Sequence, residues 1–384
     1  MNKVDELIKQ YCPNGVEYRE LNEFIKYIQP TKYIVSSAKY QEDYDIPVLT
    51  AGQTFLLGYT DETEGVYCAS KNDPVIIFDD FTTSNHWVDF KFKVKSSALK
   101  ILEPIRTENI NFRYIYYCIK NINYTPTEHS RQWISIFSKF KVPIPPIQVQ
   151  EEVVKILDKF VELEAELEAE LEARRIQYEF YRGELFSNCK DFKFRKLREV
   201  VDFKNGKGHE KKIVENGAYI VVNSRFISAN GDKVKFSNSQ LVPLFVNDIL
   251  IVMSDLPNGR ALARTFMVEE DSKYTLNQRI GCLSVIDLSK VVPRYLFYLL
   301  NRNTQLLMYD NGSDQTNLRK DQILDIRIPI PPLKEQERIV NILDKFDTLI
   351  NDISQGLPSE IQMRRQQYEY YRNKLLTFKE LENE

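Results

Sequence analysis

The sequence predicts an α+β fold: two globular domains joined by two long helices packed as an antiparallel coiled coil, with an internal pseudo-two-fold repeat. Three observations predict it. The mid-chain stretch "VELEAELEAELEARRIQYEFYR" (Val161–Arg182) carries glutamate at every second position of its first half and leucine every four residues, the helical spacing. The tract "VPIPPIQVQEEVVKILDKF" (Val142–Phe160) returns as "IPIPPLKEQERIVNILDKF" (Ile328–Phe346), without a gap, at an offset of 186 residues. "ARRIQYEFYRGEL" (Ala173–Leu185) returns as "MRRQQYEYYRNKL" (Met363–Leu375) at an offset of 190. A repeated unit needs its copy to cover its apolar face, so repeats decide architecture before local patterns do.

In chain order, the first globular domain spans 1–142 and the first helix 143–186. The second domain spans 187–328 and the second helix 329–384. The domains correspond loosely: "YRELNEF" with "FRKLREV", "NDPVIIFDDF" with "VNDILIVMSDL", and "FRYIYYCIKN" with "PRYLFYLLNR". β-Branched and aromatic runs bounded by Gly, Asn and Asp predict strands at Asp45–Thr50, Pro74–Phe78, Ala218–Val222 and Ile249–Met253. The "RYIYYCIKNI" and "RYLFYLLNR" segments have helical spacing.

Proline in "PIPP" ends a strand, and Pro146 can open a helix of about 40 residues, about 60 Å long. Val153, Ile156, Phe160, Leu163 and Leu167 recur at spacings of three and four, and Tyr178, Tyr181 and Leu185 extend the stripe. Ile339, Ile342, Phe346, Leu349, Tyr368, Tyr371 and Leu375 form its counterpart, so each stripe supplies the seam the other lacks. The second helical region holds four extra residues, and Gly356 and Pro358 of "SQGLPSE" interrupt it. Ala165, Ala169 and Ala173 either permit close approach of another helix or simply favour helix.

The 384 residues are 43% hydrophobic and 12% aromatic, which excludes a disordered chain. The N-terminus lacks a signal-peptide pattern, and no apolar run approaches the roughly 20 residues that span a bilayer. Five scattered cysteines without C-x-x-C read as reduced thiols of a cytosolic protein. The net charge of −3 hides an uneven distribution: residues 147–186 have 5 basic and 11 acidic side chains, whereas 187–332 have 22 and 16. A basic second domain suits a polyanionic partner.

The doubled "IPIPP…EQE…ILDKF" and "RR.QYE.YR" segments resemble those of the specificity subunit of type I restriction–modification enzymes, over essentially the whole chain. The resemblance implies two target recognition domains that read the halves of a split, asymmetric double-stranded DNA site. It implies helices that separate these domains and dock two modification (methyltransferase) subunits, with restriction subunits completing the nuclease. S-adenosylmethionine, and ATP and Mg²⁺ for restriction, would then sit on those partners, with no cofactor on this chain. The subunit would be non-catalytic and cytoplasmic, with no membrane partner. The "GLP" interruption departs from the simplest form of the family's second helix.

The residues agree with a non-catalytic role. No phosphate-binding glycine loop or Asp/Asn-Pro-Pro-aromatic tetrapeptide occurs, and the three histidines form no zinc motif. Asp80 with Asp89 and Lys91 resembles a nuclease pattern, but D-F-K recurs at Asp191–Lys193 and Asp202–Lys204 and so carries little information. Rival readings are a stand-alone DNA-modifying enzyme, which the missing motifs oppose, and a coiled-coil adaptor without a DNA role, which the basic domain opposes.

Base readout needs donors and acceptors on loops flanked by phosphate contacts. In the first domain the candidates are Lys32, Ser36, Ser37, Lys39, Thr50, Gln53, Thr82, Thr83, Ser84, Asn85, His86, Trp87, Arg131 and Gln132. In the second they begin with Lys204, Lys207, Lys211, Lys212, Asn223, Ser224, Arg225, Ser254, Asn258, Arg260 and Arg264. They continue with Asn277, Gln278, Arg279, Ser313, Gln315, Thr316, Asn317, Arg319 and Lys320. A turn-forming or merely solvated residue is the plain alternative for any one of them. The set carries the reading because the tracts fall at corresponding places in both repeats.

Overall fold

The computed structural model describes residues 2–50, 52, 54–105, 108–257, 259–352 and 354–381. Its main helices are α1 (Phe112–Asn121), α2 (Ile147–Ser187), α3 (Pro293–Leu300), α4 (Leu333–Asn351) and α5 (Leu357–Leu375). The chain forms two compact units. Met1–Glu168 with Ile361–Glu384 make the first, and Ala169–Glu360 the second.

In the first unit, strand Val75–Asp79 lies between Leu99–Pro104 and Asn85–Val88, with Ile25–Ile28 at the edge, all antiparallel. Both faces of the central strand are covered. Ile76 and Phe78 join the core built with α1, while Val75 and Ile77 face a core shared with the second sheet. In that sheet Ile46–Leu49 runs parallel to Lys91–Val94. The second unit repeats the plan. Ile249–Val252 lies between Ile280–Val285 and Thr265–Met267, with Val201–Asn205 at the edge. Ile249 and Ile251 face one core, Leu250 and Val252 the other. Burial on both faces explains why these strands read as continuous apolar runs rather than alternating ones.

Both "PIPP" tracts prove to be strand and hinge. Lys141–Ile144 pairs with Glu17–Glu20, and Arg327–Pro329 pairs with Phe194–Lys196, so the expected boundaries at 142 and 328 cut through strands. The second helical region is two helices. Ser354 and Gln355 donate their amides to Asp352 Oδ1, at 2.7 and 3.2 Å, turning the chain after α4. A Cβ on Gly356 would lie 2.4 Å from the Thr348 carbonyl oxygen, so glycine is required there. Leu357 is buried, so the break is a packed corner.

Each globular domain is tied to its long helix by the same side chains. Gln150, fully buried, donates from Nε2 to the carbonyls of Pro145 (2.7 Å) and Asn109 (3.1 Å) and accepts from Asn111 N at 2.9 Å. Gln336, also fully buried, donates to Pro331 O (2.8 Å) and Lys290 O (2.9 Å) and accepts from Val292 N at 2.9 Å. Further along, Arg113 and Tyr117 of α1 donate to Asp158 Oδ1, as Arg294 and Tyr298 of α3 donate to Asp344 Oδ1 at 2.6 Å each. Tyr114 and Tyr295 close the joint on the carbonyls of Pro143 (3.1 Å) and Pro329 (3.0 Å). A buried amide such as Gln150 or Gln336 holds its partners at defined angles, because every lost bond would strand a buried polar group.

Helix packs on helix within each unit. In the first, the Phe160 and Tyr371 rings stack with centroids 5.4 Å apart, and Arg365 bonds Glu164 and Glu168. Arg365 meets later residues of α2 than Tyr371 does, so α2 and α5 run antiparallel. In the second, Tyr178 and Tyr181 lie 6.3 and 5.8 Å from Phe346. Val153, Ile156, Tyr368 and Leu375 belong to the first unit's core, and Leu185, Ile339 and Leu349 to the second's. Leu163, Leu167 and Ile342 are half-buried, and Tyr181 remains exposed. The helices also bury Val149, Leu157 and Leu343, which lie outside the expected seam. A helix that packs on both a domain and another helix carries two apolar faces, and the heptad reading sees only one.

Candidate nucleic-acid interface

In the second unit, backbone hydrogen bonds draw the candidate tracts to one edge. Gly206 N bonds Ile280 O and Lys207 N bonds Leu276 O, both at 3.1 Å, tying the glycine loop to the turn at 277–279. Asn277 N bonds Val222 O (3.1 Å), bringing in 223–225. Met253 N bonds Arg279 O (2.9 Å) and Leu318 N bonds Met253 O (2.7 Å), adding 254 onward and 315–320. Five sequence-distant tracts therefore share one edge because the ends of the two sheets lie beneath them.

The edge divides into bracing and free groups. Asn223 caps a short helix by accepting from Phe226 N at 2.9 Å. Asn277 Oδ1 accepts from His209 N, and Gln278 reaches Glu210 Oε1 at 2.6 Å. Gln315 donates to Ser254 Oγ at 2.8 Å, and both Ser254 and Thr316 are buried. These residues hold loops in place, and each commits at least one donor or acceptor to the fold, while Gln278 and Gln315 stay exposed. Lys207, Lys211, Lys212, Arg225, Arg279 and Lys320 are exposed, and none forms an ion pair among the described residues. Away from the edge, Lys196, Arg198, Lys273, Lys290 and Arg294 each hold a carboxylate. Lys204 and Lys320 lie 5.6 Å over the rings of Phe245 and Phe203. Ser224 is half-buried, while Ser313, Asn317 and Arg319 are exposed. Asn258 lies outside the described residues.

The first unit gathers fewer of its candidates. His86 stacks on Phe55 at 4.1 Å, joining the turn after Thr50 to the hairpin at 82–84. Thr50 closes its own turn through Thr54 O at 2.8 Å. Gln132 N bonds Asp80 O at 2.8 Å, bringing Arg131 alongside. Thr82 and Arg131 are exposed, Ser84 is half-buried, and Thr83 holds a left-handed φ of 62° at the hairpin tip. A β-branched residue rarely adopts that φ, and such strain concentrates at functional loops. The amides of Ser36 and Ser37 anchor on Glu62, which holds buried Lys93 at 2.8 Å; Lys32 and Lys39 are exposed beside them. Three candidates prove structural. Trp87 packs on Phe112 and Tyr116 beneath the Arg113 guanidinium, Gln132 is buried against Tyr124 and Ser130, and Asn85 is buried in its strand. Gln53 lies outside the described residues.

The nuclease-like pattern does not assemble. Asp80 is buried, accepts from Trp133 N at 2.9 Å and faces Lys100 Nζ at 3.3 Å. No group of three metal-ligating residues occurs among the described residues. Sequence reasoning missed His209, buried under the glycine loop with Nδ1 against Lys207 O (2.7 Å) and Nε2 against Thr275 Oγ1 (3.1 Å). It also missed Asp255, whose carboxylate accepts from the amides of Leu256, Ala261 and Leu262 and shapes the loop that follows. The paired glycines of "NGKGHE" were the available signal for the first.

Burial pushes the His86 imidazole down to about 4, helped by the positive charge of Lys120. The unfolded chain therefore takes up a proton that the folded domain refuses. Stability is whole above the ordinary histidine value near 6.5 and declines as pH falls from there toward 4. Between pH 7.5 and 5 the first unit is expected to lose about 1 kcal/mol through this group, discounting for its partial exposure. In thermal melts across that range the wild type should lose stability relative to His86→Phe as pH falls, and parallel curves would remove His86 from the account.

The family described as type I restriction modification DNA specificity domain matches residues 13–173 and 189–363. The chain is 39% identical to the EcoR124I/EcoR124II specificity subunit of Escherichia coli, covering 98% of each. It is 24% identical to the MjaVIII specificity subunit of Methanocaldococcus jannaschii, over 88% of this chain and 87% of that one. Among solved structures, it resembles a type I restriction–modification S subunit from M. genitalium with a TM-score of 0.55 at 14% identity, covering 94% and 96% of the two chains. A second structure, from work on type I complex assembly and conformational transition, gives 0.56 at 14% identity, covering 95% and 98%. At that identity the likeness speaks to the fold alone.

Proposed function

The chain belongs to the type I restriction–modification DNA specificity family, and from that premise we propose that its two domains read the two halves of a bipartite, asymmetric DNA site. It is a DNA-recognition subunit of a restriction–modification assembly and not its catalytic one. The observation that carries the bipartite reading is the duplicated unit with a separate loop edge in each copy, the second rich in unpaired cations. Two edges built from different side chains on one repeated scaffold suit two unlike half-sites.

The repeat also supports two modification subunits. Phe180 of α2 and Tyr370 of α5 occupy equivalent repeat positions and are 64% and 60% exposed. Exposed aromatics at matched positions suit two copies of one partner. Those partners would carry S-adenosylmethionine, and the restriction subunits ATP and Mg²⁺, in the cytoplasm. The five free cysteines support that compartment. No helix among the described residues is long and apolar enough to cross a membrane.

The test is co-expression with the methyltransferase subunit in a methylation-free host, followed by genome-wide mapping of methylated adenine. A split motif with two defined halves and a fixed gap is expected. A stable complex that methylates nothing would overturn the reading. The same assay tests α2 as a ruler. Deleting Glu164–Leu167 shortens a helix by about 6 Å and turns it by about 40°, so the gap should shrink by about one or two base pairs with both halves unchanged. Methylation at the original gap would show that α2 does not set the spacing.

A further inference from the structure

A cavity of about 930 Å³ opens within the second unit, where the loop shaped by Asp255 meets α2 and α4. Arg260, Arg264 and Arg302 line it from the domain and Arg175 from the helix. Its other arginines are committed. Arg182 bonds Glu179 and the carbonyl of Tyr298, and Arg294 bonds Asp344. Among the described residues only Arg175 of the four named here forms an ion pair, a long one, while Asp255, Asp310 and Glu179 act on Arg302 from further away. Among the described residues Arg264 reaches Ser228 O (3.2 Å), and Arg302 reaches Gly259 O (3.2 Å) and Leu262 O (3.3 Å). Arg175 is 3.9 Å from Glu172 on an exposed turn, and Arg260 is exposed without a partner among the described residues. Burial and the neighbouring Arg264 push the Arg302 guanidinium below its ordinary pKa. Glu269 is one acid in the wall not tied to an arginine.

Guanidiniums gathered against their own repulsion, with their charge only loosely offset by neighbouring carboxylates, fit an anion with several oxygens at fixed spacing. The scaffold does not demand the arrangement. In the first unit Asn121 stands where Arg302 does, and Arg365, the counterpart of Arg175, is spent on Glu164 and Glu168. The loop carrying Arg260 leads directly from Ser254 at the loop edge to the cavity.

We infer that Arg175, Arg260, Arg264 and Arg302 form a phosphate-binding groove that holds the DNA backbone beside the second half-site without reading its sequence. This rests on the DNA-recognition reading above and gives Arg260 and Arg264 a role different from base pairing with guanine. The second half-site then has a longer backbone footprint than the first.

The test uses the complex with methyltransferase subunits and a duplex carrying the mapped site, titrated across a range of salt. Arg260→Gln with Arg264→Gln is expected to make log K against log salt shallower by about 0.9 for each phosphate no longer neutralised. Cognate and mismatched duplexes should weaken together, and the methylated motif should stay the same. Arg264→Lys should keep most of the slope. Arg175→Gln, on the exposed helix face, gives the same reading without touching the domain's fold. Wild-type slopes in both the double variant and Arg175→Gln would overturn the groove, and so would a changed second half-site, which would make these residues base readers. A wild-type complex that cannot tell cognate from mismatched duplex would defeat the recognition reading itself, and the groove with it.

Discussion

Gly206→Ala is expected to abolish recognition of the second half-site while leaving the first unit intact. A Cβ at this position would lie 1.8 Å from the Asn277 carbonyl oxygen and 2.5 Å from its carbon. Both atoms are backbone, so no side chain can swing aside. The loop at 206–212 and the turn at 277–279 must part by about an ångström or more to reach ordinary contact distance, against the bonds from Gly206 N and Lys207 N that hold them. Overpacking of this kind costs about 1–3 kcal/mol, and each ruptured hydrogen bond about 1 more. The larger effect is on function. Lys207, Lys211, Lys212 and Arg279 all ride on the two displaced segments, and His209 loses its seat between them. On the proposed reading of this edge, several misplaced DNA contacts at about 1–3 kcal/mol each would bring the site down toward non-specific affinity, roughly a thousandfold. Methylome mapping and competition with a scrambled second half-site would measure it. A variant that methylates the wild-type motif with wild-type efficiency would remove this edge from the interface.

Gln336→Leu carries the largest expected effect on stability. The substitution keeps the side chain's bulk but strands Lys290 O, Pro331 O and Val292 N in a buried joint. Each stranded group costs about 1–3 kcal/mol before relaxation, so a net loss of about 3 kcal/mol is expected. That corresponds to a fall of roughly 6–12 °C in the melting of the second unit. Gln150→Leu should act likewise on the first. Calorimetry of both variants, compared with an exposed control such as Lys155→Leu, separates the clip from a general response. If Gln336→Leu melted together with that control, the clip would be idle.

Much of the architecture was legible because it is duplicated. Ungapped copies of "ILDKF" and "QYE.YR" cannot arise from local propensity, and they announced the helices, their pairing and the two domains. The joints between domain and helix were not legible. Gln150 and Gln336 look like solvated residues in a charged helix, and only the carbonyls that converge on them show that they are buried. The candidate interface was legible as tracts and blurred as residues. Asn, Ser, Thr and Gln read bases with the same groups that cap helices and close turns. Asn223, Ser254, Gln132 and Thr316 therefore looked like Ser313 and Asn317 until their partners were seen. The lysines and arginines differ in that Lys207, Lys211, Lys212, Arg225 and Arg279 are exposed without an ion pair among the described residues, so no fold role for their charge is visible. The arginine cavity needed Arg175 and Arg302 to be known as neighbours across more than a hundred residues of sequence, which no local pattern contains.

The discontinuity of the first unit bears on how the chain is made. Its core includes Leu375 and Leu376, Val16 N bonds Lys379 O at 2.8 Å, and Leu381 N bonds Val16 O at 2.9 Å. A ribosome adding about 5–20 residues per second needs roughly 10–40 s to pass from the end of the first unit's N-terminal part to the start of its C-terminal part. The second unit is contiguous and can close during that interval. The domain translated first is thus the last to be finished, waiting with an open seam on α2 for its closing strap. A nonsense codon or proteolytic nick near residue 361 would be felt at the opposite end of the polypeptide: the early domain would lose its lid while the later one stayed whole.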